Sequence, residues 1–505
     1  MKITIVGGGS SGWMTAAAIA YKHPSIDLTL IESAELGTIG VGESTLGHIN
    51  RFFHLLDLKD SEWMAECDAT YKVSIRFEDF CTKGETFHYP FGKTTTPGGG
   101  KTVQDFFDCR ALFPDEIEPT DFAKVFSLNS HLSDANKIPA ADMPEQGFYK
   151  DHLAYHMDAT KLANYLKNRY CNDITHIVDT VENIDTDDSG ITGLHLKGGR
   201  KIEADLYIDC SGFASVLLEK ALKVKHHYFP SLTTDSVVVA RIPHKDNDKT
   251  KIKNHTNCKG LSSGWMWEIP LWQRSGRGYV YSSKFQTSES AEDEFRTELD
   301  WDGEVTHLKF KSGYHEKAWH KNVVGIGLAY AFVEPLESTG LMTTHENIIE
   351  FCDVLKRAKG NITSVDRQMY NTVVSNLTLG FSGFVALHYG LSRRNDTPFW
   401  KHVTQEVDYD LHDDTIVREK NTARELSYMY SNKCYNAEFD GLVYIAAGSD
   451  FNSISSEYIE WQDSNGSGDI PRYILKDLKE IISNRSEVVK AMASHYDYLS
   501  TEIYK

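Results

Sequence analysis

Three glycines spaced Gly7-x-Gly9-x-x-Gly12, with Glu32 twenty residues after the last, form a pattern that can hold a dinucleotide. Glycines let the backbone turn tightly and approach a pyrophosphate, whose charge sits well at a helix N-terminus. A carboxylate closing the next strand accepts hydrogen bonds from a ribose diol. Further along, Trp265 and Trp267 alternate in Gly264-Trp265-Met266-Trp267-Glu268-Ile269-Pro270, so in a strand both indoles share one face. An aromatic core face is the plain alternative for such a pair. Lys72, taken alone, reads as a solvated lysine on the polar face of a strand.

Other chemistries start and do not complete. Gly8-Gly9-Ser10-Ser11-Gly12 fits the GxSxG nucleophile elbow, but that elbow needs more than the single strand preceding it here. Gly98-Gly99-Gly100-Lys101-Thr102 looks like a phosphate loop, yet Thr95 stands where the first glycine is required. His152 and His156 have metal-ligand spacing without a matching third ligand, so no metal is expected.

The elements that must position these groups follow from periodicity. Ile3 to Val6 reads as a buried parallel strand, Ser10 to Tyr21 as an Ala-rich helix, and Leu28 to Ile31 as the second strand of a βαβ unit. Tyr71 to Phe77 alternates apolar and polar residues, predicting one half-buried strand. Residues 92–104 read as a mobile surface loop. A helix is predicted over Ala159 to Tyr170, a strand near His176 to Val181, a hairpin at Asp187-Asp188-Ser189-Gly190, and a strand from Ala204 to Asp209. Residues 234–311 give several strands of an inserted antiparallel sheet, and Gly340 to Ala358 a packed helix. The rest, 359–505, reads as mostly helical. The predicted fold is α/β and Rossmann-like: a composite core over 1–358 and a helical substrate-side region over 359–505 packed on it as one unit. Within that core the cofactor-binding segments fall at about 1–50, 155–215 and 320–345, and the inserted sheet at about 230–312.

A chain of 505 residues with 41% hydrophobic and 25% charged residues is ordinary for a soluble globular protein. Its formal charge of −19 argues against nucleic acid and anionic membrane partners, which reward basic surfaces. Eight dispersed cysteines without a CxxC pair read as reduced thiols, and the absence of a signal peptide or a long apolar run predicts a cytoplasmic protein.

Two downstream stretches favour FAD over NAD. Ala204 to Phe213 (ADLYIDCSGF) and Val323 to Leu341 (VVGIGLAYAFVEPLESTGL) resemble the second and third flavin-contacting segments of two-dinucleotide-binding-type flavoproteins. The Trp-x-Trp-x-Ile-Pro run resembles a signature of the flavin-dependent halogenases, and the likeness spreads. Gly40 to Thr45 (GVGEST) is similar to that family's flavin strap, and Thr70-Tyr71-Lys72 to the segment carrying its essential lysine. His88 to Gly92 (HYPFG) resembles its substrate-sandwiching turn, and Glu334 to Gly340 (EPLESTG) matches most closely, with Tyr155 to Ala159 and the stretch from His388 to Trp400 also alike in kind. The chain departs from the family at Gly47, where the strap usually has Pro, and at Tyr89, where tryptophan halogenases carry a His. In 435–465 the clamp for an amino acid's carboxylate and ammonium does not align.

The resemblance implies a two-component flavin-dependent halogenase of the tryptophan/indole branch. A separate reductase would supply FADH2, which reacts with O2. A halide (chloride, bromide or iodide) held by backbone N–H groups at Thr339 and Gly340 would then be oxidised to hypohalous acid, which reaches an electron-rich, indole-like substrate. Lys72 would hold or polarise that oxidant by hydrogen bonding, or as a haloamine. Glu337 would accept the proton lost from the ring or sharpen the oxidant's electrophilicity, with a helix cap as its simpler alternative. Gly7, Gly9, Gly12, Glu32, Gly42, Ser44, Val181, Leu328 and Leu341 would contact FAD. Trp265 and Trp267 would form a wall keeping substrate from flavin, while Tyr89 and Phe91 line the substrate. A homodimer is the family-level expectation. A flavin monooxygenase hydroxylating its aromatic substrate, or a flavin-binding protein without catalysis, are the alternatives.

Overall fold

The computed structural model describes residues 1–34, 41–92, 94, 101–139, 153–409, 426, 439–451 and 469–505. Its contacts divide the chain into two units, each built from three stretches: Met1–Ala69, His156–Pro230 and Lys309–Leu379 in the first, Thr70–Tyr155, Ser231–Leu308 and Gly380–Lys505 in the second. The expected division at residue 358 falls inside the first unit.

The first unit is organised by a sheet in the order Trp319–His320, Val323–Gly325, Leu206–Asp209, Lys2–Val6, Asp27–Glu32, Thr175–Val178. All neighbours are parallel except the edge pair Trp319–His320 with Val323–Gly325. Parallel strands buried on both faces need covering helices. Ser10–Lys22 supplies one, with Gly12 through Ile19 all buried. Ala159–Tyr170 supplies another, its first turn capped by Asp158, whose carboxylate accepts from the N–H groups of Thr160 and Lys161 at 3.0 and 3.1 Å. The strand expected as His176 to Val181 is two elements. Thr175–Val178 stays in the parallel sheet, and Val181–Asp187 opens a separate antiparallel sheet with Gly190–Leu196 and Lys201–Ile202. The hairpin turn falls where the sequence placed it, between Asp187 and Gly190.

In the second unit a mixed sheet runs in the order Thr306–Lys309, Ser236–Pro243, Arg274–Tyr281, Gly264–Pro270, His255–Gly260, Ser74–Glu78, Thr86–Pro90. It is not a pure insertion of residues 234–311, because strands from 74–90 complete it, and His255–Gly260 pairs with Ser74–Glu78 in parallel. One face is covered by the helix Ser288–Leu299, whose Ala291 and Phe295 pack with Met266, Tyr279, Tyr281 and Val238. The helices Pro398–Gln405, Phe439–Gly448 and Asp469–Lys490 bear out the helical reading of the C-terminal stretch. Among the described residues, no helix is long and apolar enough to cross a membrane.

The expected single strand Tyr71 to Phe77 is broken. Thr70–Lys72 and Ser74–Glu78 are separate strands, and Val73 between them donates its N–H to the carbonyl of Asn254 at 2.8 Å. Nor is its polar side solvated. Lys72 and Ser74 are both fully buried, and Ser74 Oγ is held by His88 Nδ1 at 3.1 Å and Ser133 Oγ at 2.9 Å.

Candidate active site

In the first unit, the turn after Lys2–Val6 is built from glycines with different tasks. Gly7 has φ +117°, and a Cβ there would lie 2.2 Å from the Cys210 carbonyl oxygen. A Cβ on Gly12 would lie 1.9 Å from the oxygen of Gly7, so this glycine lets helix and turn touch. Gly9, the N-cap of Ser10–Lys22, faces open space, with no atom within 4 Å of its would-be Cβ. No side chain caps that helix and no acidic residue stands in its first turn. Its N-terminal N–H groups therefore open on the space beside Gly9 with no acid of the helix's own first turn among them, which suits a pyrophosphate.

Glu32 closes its strand against this turn. A Cβ on Gly8 would fall 1.7 Å from Glu32 Oε2. Gly8, which the motif spacing leaves unassigned, is thus the residue that admits the carboxylate. After Leu206–Asp209, buried Asp209 accepts from the N–H groups of Ser211, Leu217 and Leu218 at 3.0, 2.7 and 2.9 Å, fixing the Cys-Ser-Gly-Phe turn. Burial pushes its carboxyl above the ordinary range against those hydrogen bonds. The turn Gly212–Ala214 packs on Gly327–Ala329, and Leu328 is left exposed. Leu341 is buried, while the side chain of Val181 packs into the core with Val6, Ile31 and Ile177.

The strap residues and the Glu334–Gly340 run meet in this unit. Glu43 and Ser44 pair with Met157 and His156, and Gly42 takes φ +130°. Ser338 adopts a left-handed conformation (φ 59°, ψ 31°) as N-cap of the twenty-residue helix Thr339–Ala358, and its hydroxyl donates to Ser44 Oγ at 3.0 Å. With the Ser338 hydroxyl so engaged, no side chain caps the helix and no acid occupies its first turn. Glu337 is not the cap. It lies one residue earlier, fully buried in the 3₁₀ turn Pro335–Glu337. Nothing stands within 4 Å of a would-be Cβ on Gly340. A helix start of this kind, like that at Gly9, has the geometry that can receive an anion.

The second unit holds the expected lysine and the aromatic groups. Lys72 Nζ lies 4.7 Å from the centroid of Phe91, whose ring stands edge-on to Tyr89 at 5.6 Å. Tyr89 stacks on Tyr444 at 6.2 Å, and a Cβ on Gly441 would sit 2.7 Å from its hydroxyl oxygen. Trp265 and Trp267 lie 5.9 Å apart at 52°, on the sheet face opposite Met266 and its covering helix. The indole of Trp267 reaches across Gly278 on the next strand, where a Cβ would come within 2.1 Å of Cζ2. Sequence spacing gave no hint of Gly278; its role appears only through cross-strand register.

Of the other expectations, Gly40, residues 95–100, His152 and most of 435–465 lie outside the described residues. Thr102 caps the helix Val103–Leu112 by exchanging hydrogen bonds with Asp105. His156 is buried, and among the described residues no cluster of His, Cys, Asp and Glu could hold a metal ion.

The family profile described as Tryptophan halogenase matches residues 2–448. Tryptophan 6-halogenase SttH of Streptomyces toxytricini is 36% identical over 422 residues, covering 79% of this chain and 80% of that protein. The apo structure of VirX1 matches with a TM-score of 0.90 and 36% identity, covering 100% of this chain and 99% of the other. Tar14, a tryptophan C-6 flavin-dependent halogenase (chlorinase) from taromycin biosynthesis, matches at TM-score 0.83 and 29% identity over 99% of each chain.

Proposed function

This chain belongs to the tryptophan halogenase family and is a flavin-dependent halogenase, and from that premise we propose that it uses FADH2, O2 and halide to halogenate an electron-rich, indole-like aromatic substrate. FAD rather than a shorter flavin is supported by the open Gly9 corner and by Glu32, which answer the pyrophosphate and the adenosine ribose. When bound in reduced form, the flavin activates oxygen for attack by halide, which leaves as hypohalous acid.

The chain's own residues do the rest. The N–H groups at Thr339 and Gly340 hold the halide at a helix start with no acid in its own first turn. Trp265 and Trp267 keep the arene from the flavin, where it would be hydroxylated. Phe91 and Tyr89 receive the aromatic ring edge and face. Lys72 holds the oxidant by hydrogen bonding, and Glu337 accepts the proton the ring loses. A glutamate at this place supports the indole branch of the family. A separate flavin reductase supplies the reduced cofactor. The seven described cysteines are free and buried, which supports a reducing, cytoplasmic setting.

The observation that carries the assignment of Lys72 is its complete burial beside Phe91. Desolvating an ammonium group is expensive, so a fully buried lysine in an aromatic setting marks a candidate functional group. The test is to supply FAD, a flavin reductase, NADH and indole, add chloride, bromide or iodide in turn, and weigh the products. Halogenated indole supports the proposal; an oxygen increment without halogen supports a monooxygenase instead. Lys72→Ala should abolish halogenation while flavin binding and NADH-driven peroxide formation persist, and normal halogenation by that variant would remove Lys72 from the mechanism.

A further inference from the structure

The carboxylate of Glu32 is held from three elements of the first unit before any cofactor arrives. Leu30 stands opposite His176 in the parallel pair of Asp27–Glu32 with Thr175–Val178, so His176 emerges on the same sheet face as Glu32. Its Nε2 lies 2.8 Å from Glu32 Oε1, with the two side chains 26% and 23% exposed. Lys167, from the helix Ala159–Tyr170, brings its ammonium within 3.6 Å of the same oxygen. Trp13, from the first helix, donates its indole N–H to Oε2 at 3.4 Å. The Trp13 ring is itself fixed, with Lys167 Nζ 4.7 Å from its centroid and His176 edge-on at 5.2 Å.

Resting on the FAD reading above, we propose that His176 is a positioning residue for the adenosine ribose: it locks Glu32 in the rotamer that accepts the diol. A carboxylate offers about four acceptor sites, so the hydrogen bonds from His176 and Trp13 leave room for two ribose hydroxyls. Only His176 makes a short, directional bond; Lys167 at 3.6 Å supplies charge without a hydrogen bond. A glutamate already ordered loses less rotamer freedom when the ligand binds.

The test uses the full chain, FAD, and an FAD analogue built on 2′,3′-dideoxyadenosine, with dissociation constants read by titration. Wild type should prefer FAD by about tenfold, about 1.4 kcal/mol. His176→Ala should bind FAD about tenfold more weakly, bind the analogue as wild type does, and so lose the preference. His176→Gln, whose amide N–H can reach the place of Nε2, should recover most of it. Equal weakening of both ligands in His176→Ala would mark a merely structural role and overturn the proposal, as would undiminished FAD affinity. If wild type itself shows no preference, Glu32 does not read the ribose and this inference falls while FAD binding stands. If wild type binds neither ligand, the FAD reading fails.

Discussion

The ammonium of Lys72 lies 4.7 Å from the centre of the Phe91 ring, and both residues are buried. Lys72 ends its strand beside Val73, whose carbonyl accepts from Phe91 N–H at 2.9 Å. The backbone thus fixes the distance between cation and ring. Removing one member of a buried polar arrangement usually costs stability, so folding and activity have to be read separately. Lys72→Met should lose halogenation entirely while the folded fraction still binds flavin, whatever the shift in its thermal midpoint. Normal halogenation by folded Lys72→Met would show Lys72 to be a structural ion rather than a catalytic one.

Gly9 and Gly12 belong to one motif but should fail in opposite ways. Gly12→Ala drives a methyl into the Gly7 carbonyl, and overpacking of that kind costs about 1–3 kcal/mol. Gly9→Ser meets no neighbour and places a good capping residue at a helix N-cap with ordinary φ of −76°. It should keep or gain stability and lose FAD affinity, because its hydroxyl occupies the helix N–H groups and the space meant for pyrophosphate. Thermal melts and FAD titrations of the two variants separate the outcomes; similar flavin binding by Gly9→Ser would place the pyrophosphate elsewhere.

What was legible in the sequence was what local pattern determines. The helix Ala159–Tyr170 matches residue for residue because Asp158 caps it. The first helix and its flanking strands fall within a residue or two of expectation. The shared face of Trp265 and Trp267 follows from strand alternation alone. What was not legible depends on partners distant in the chain. Alternation put Lys72 and Ser74 on a solvated face; contacts from His88 and Ser133 bury Ser74, and the break at Val73 answers to Asn254. Gly8, Gly278 and His176 matter only through what a remote strand places against them. The role of Glu337 came from family likeness, and the structure contributes its burial and its separation from the helix cap.

Gly278 should be coupled to Trp267. A methyl at 278 collides with the indole, so Gly278→Ala should destabilise the chain by about 1–3 kcal/mol and displace the wall. In a Trp267→Ala background the same substitution meets empty space and should cost almost nothing. Denaturant melts of the four proteins in this cycle give the coupling directly. Additive effects would mean that the indole does not lie over residue 278.

The native thiols should be nearly silent. Cys67, Cys81, Cys109, Cys171, Cys210, Cys258 and Cys352 are all buried, and burial pushes those of Cys81, Cys109, Cys171, Cys210 and Cys352 up to about 12. Thiolates are the reactive species. A thiol reagent at pH 8 should modify none of the seven quickly in the native protein and all eight cysteines after unfolding. Rapid loss of several native thiols would contradict the packing described for them.

Glu43 gives the chain a specific pH dependence. Burial first, and the charge of Asp158 second, raise its carboxyl from the ordinary 4.5 to about 7. Asp158 holds its place because it caps a helix, so the repulsion is built into the strap's pairing with residues 156 and 157. A folded-state value above the unfolded one means the native state keeps its proton longer. The associated stability is fully present below about pH 4.5, is lost as pH rises toward 7, and changes no further above it. Glu43→Gln keeps the neutral shape at every pH. It should melt alongside wild type near pH 4.5 and be more stable at pH 8, by roughly 3 kcal/mol at most. Because Glu43 neighbours Ser44, whose hydroxyl accepts from Ser338, the variant should also hold flavin more evenly across pH 6 to 8 (~one decade of proton activity either side of the shifted value). A wild-type and variant pair whose melting points run parallel from pH 5 to 8 would show that Glu43 titrates as an ordinary surface carboxylate.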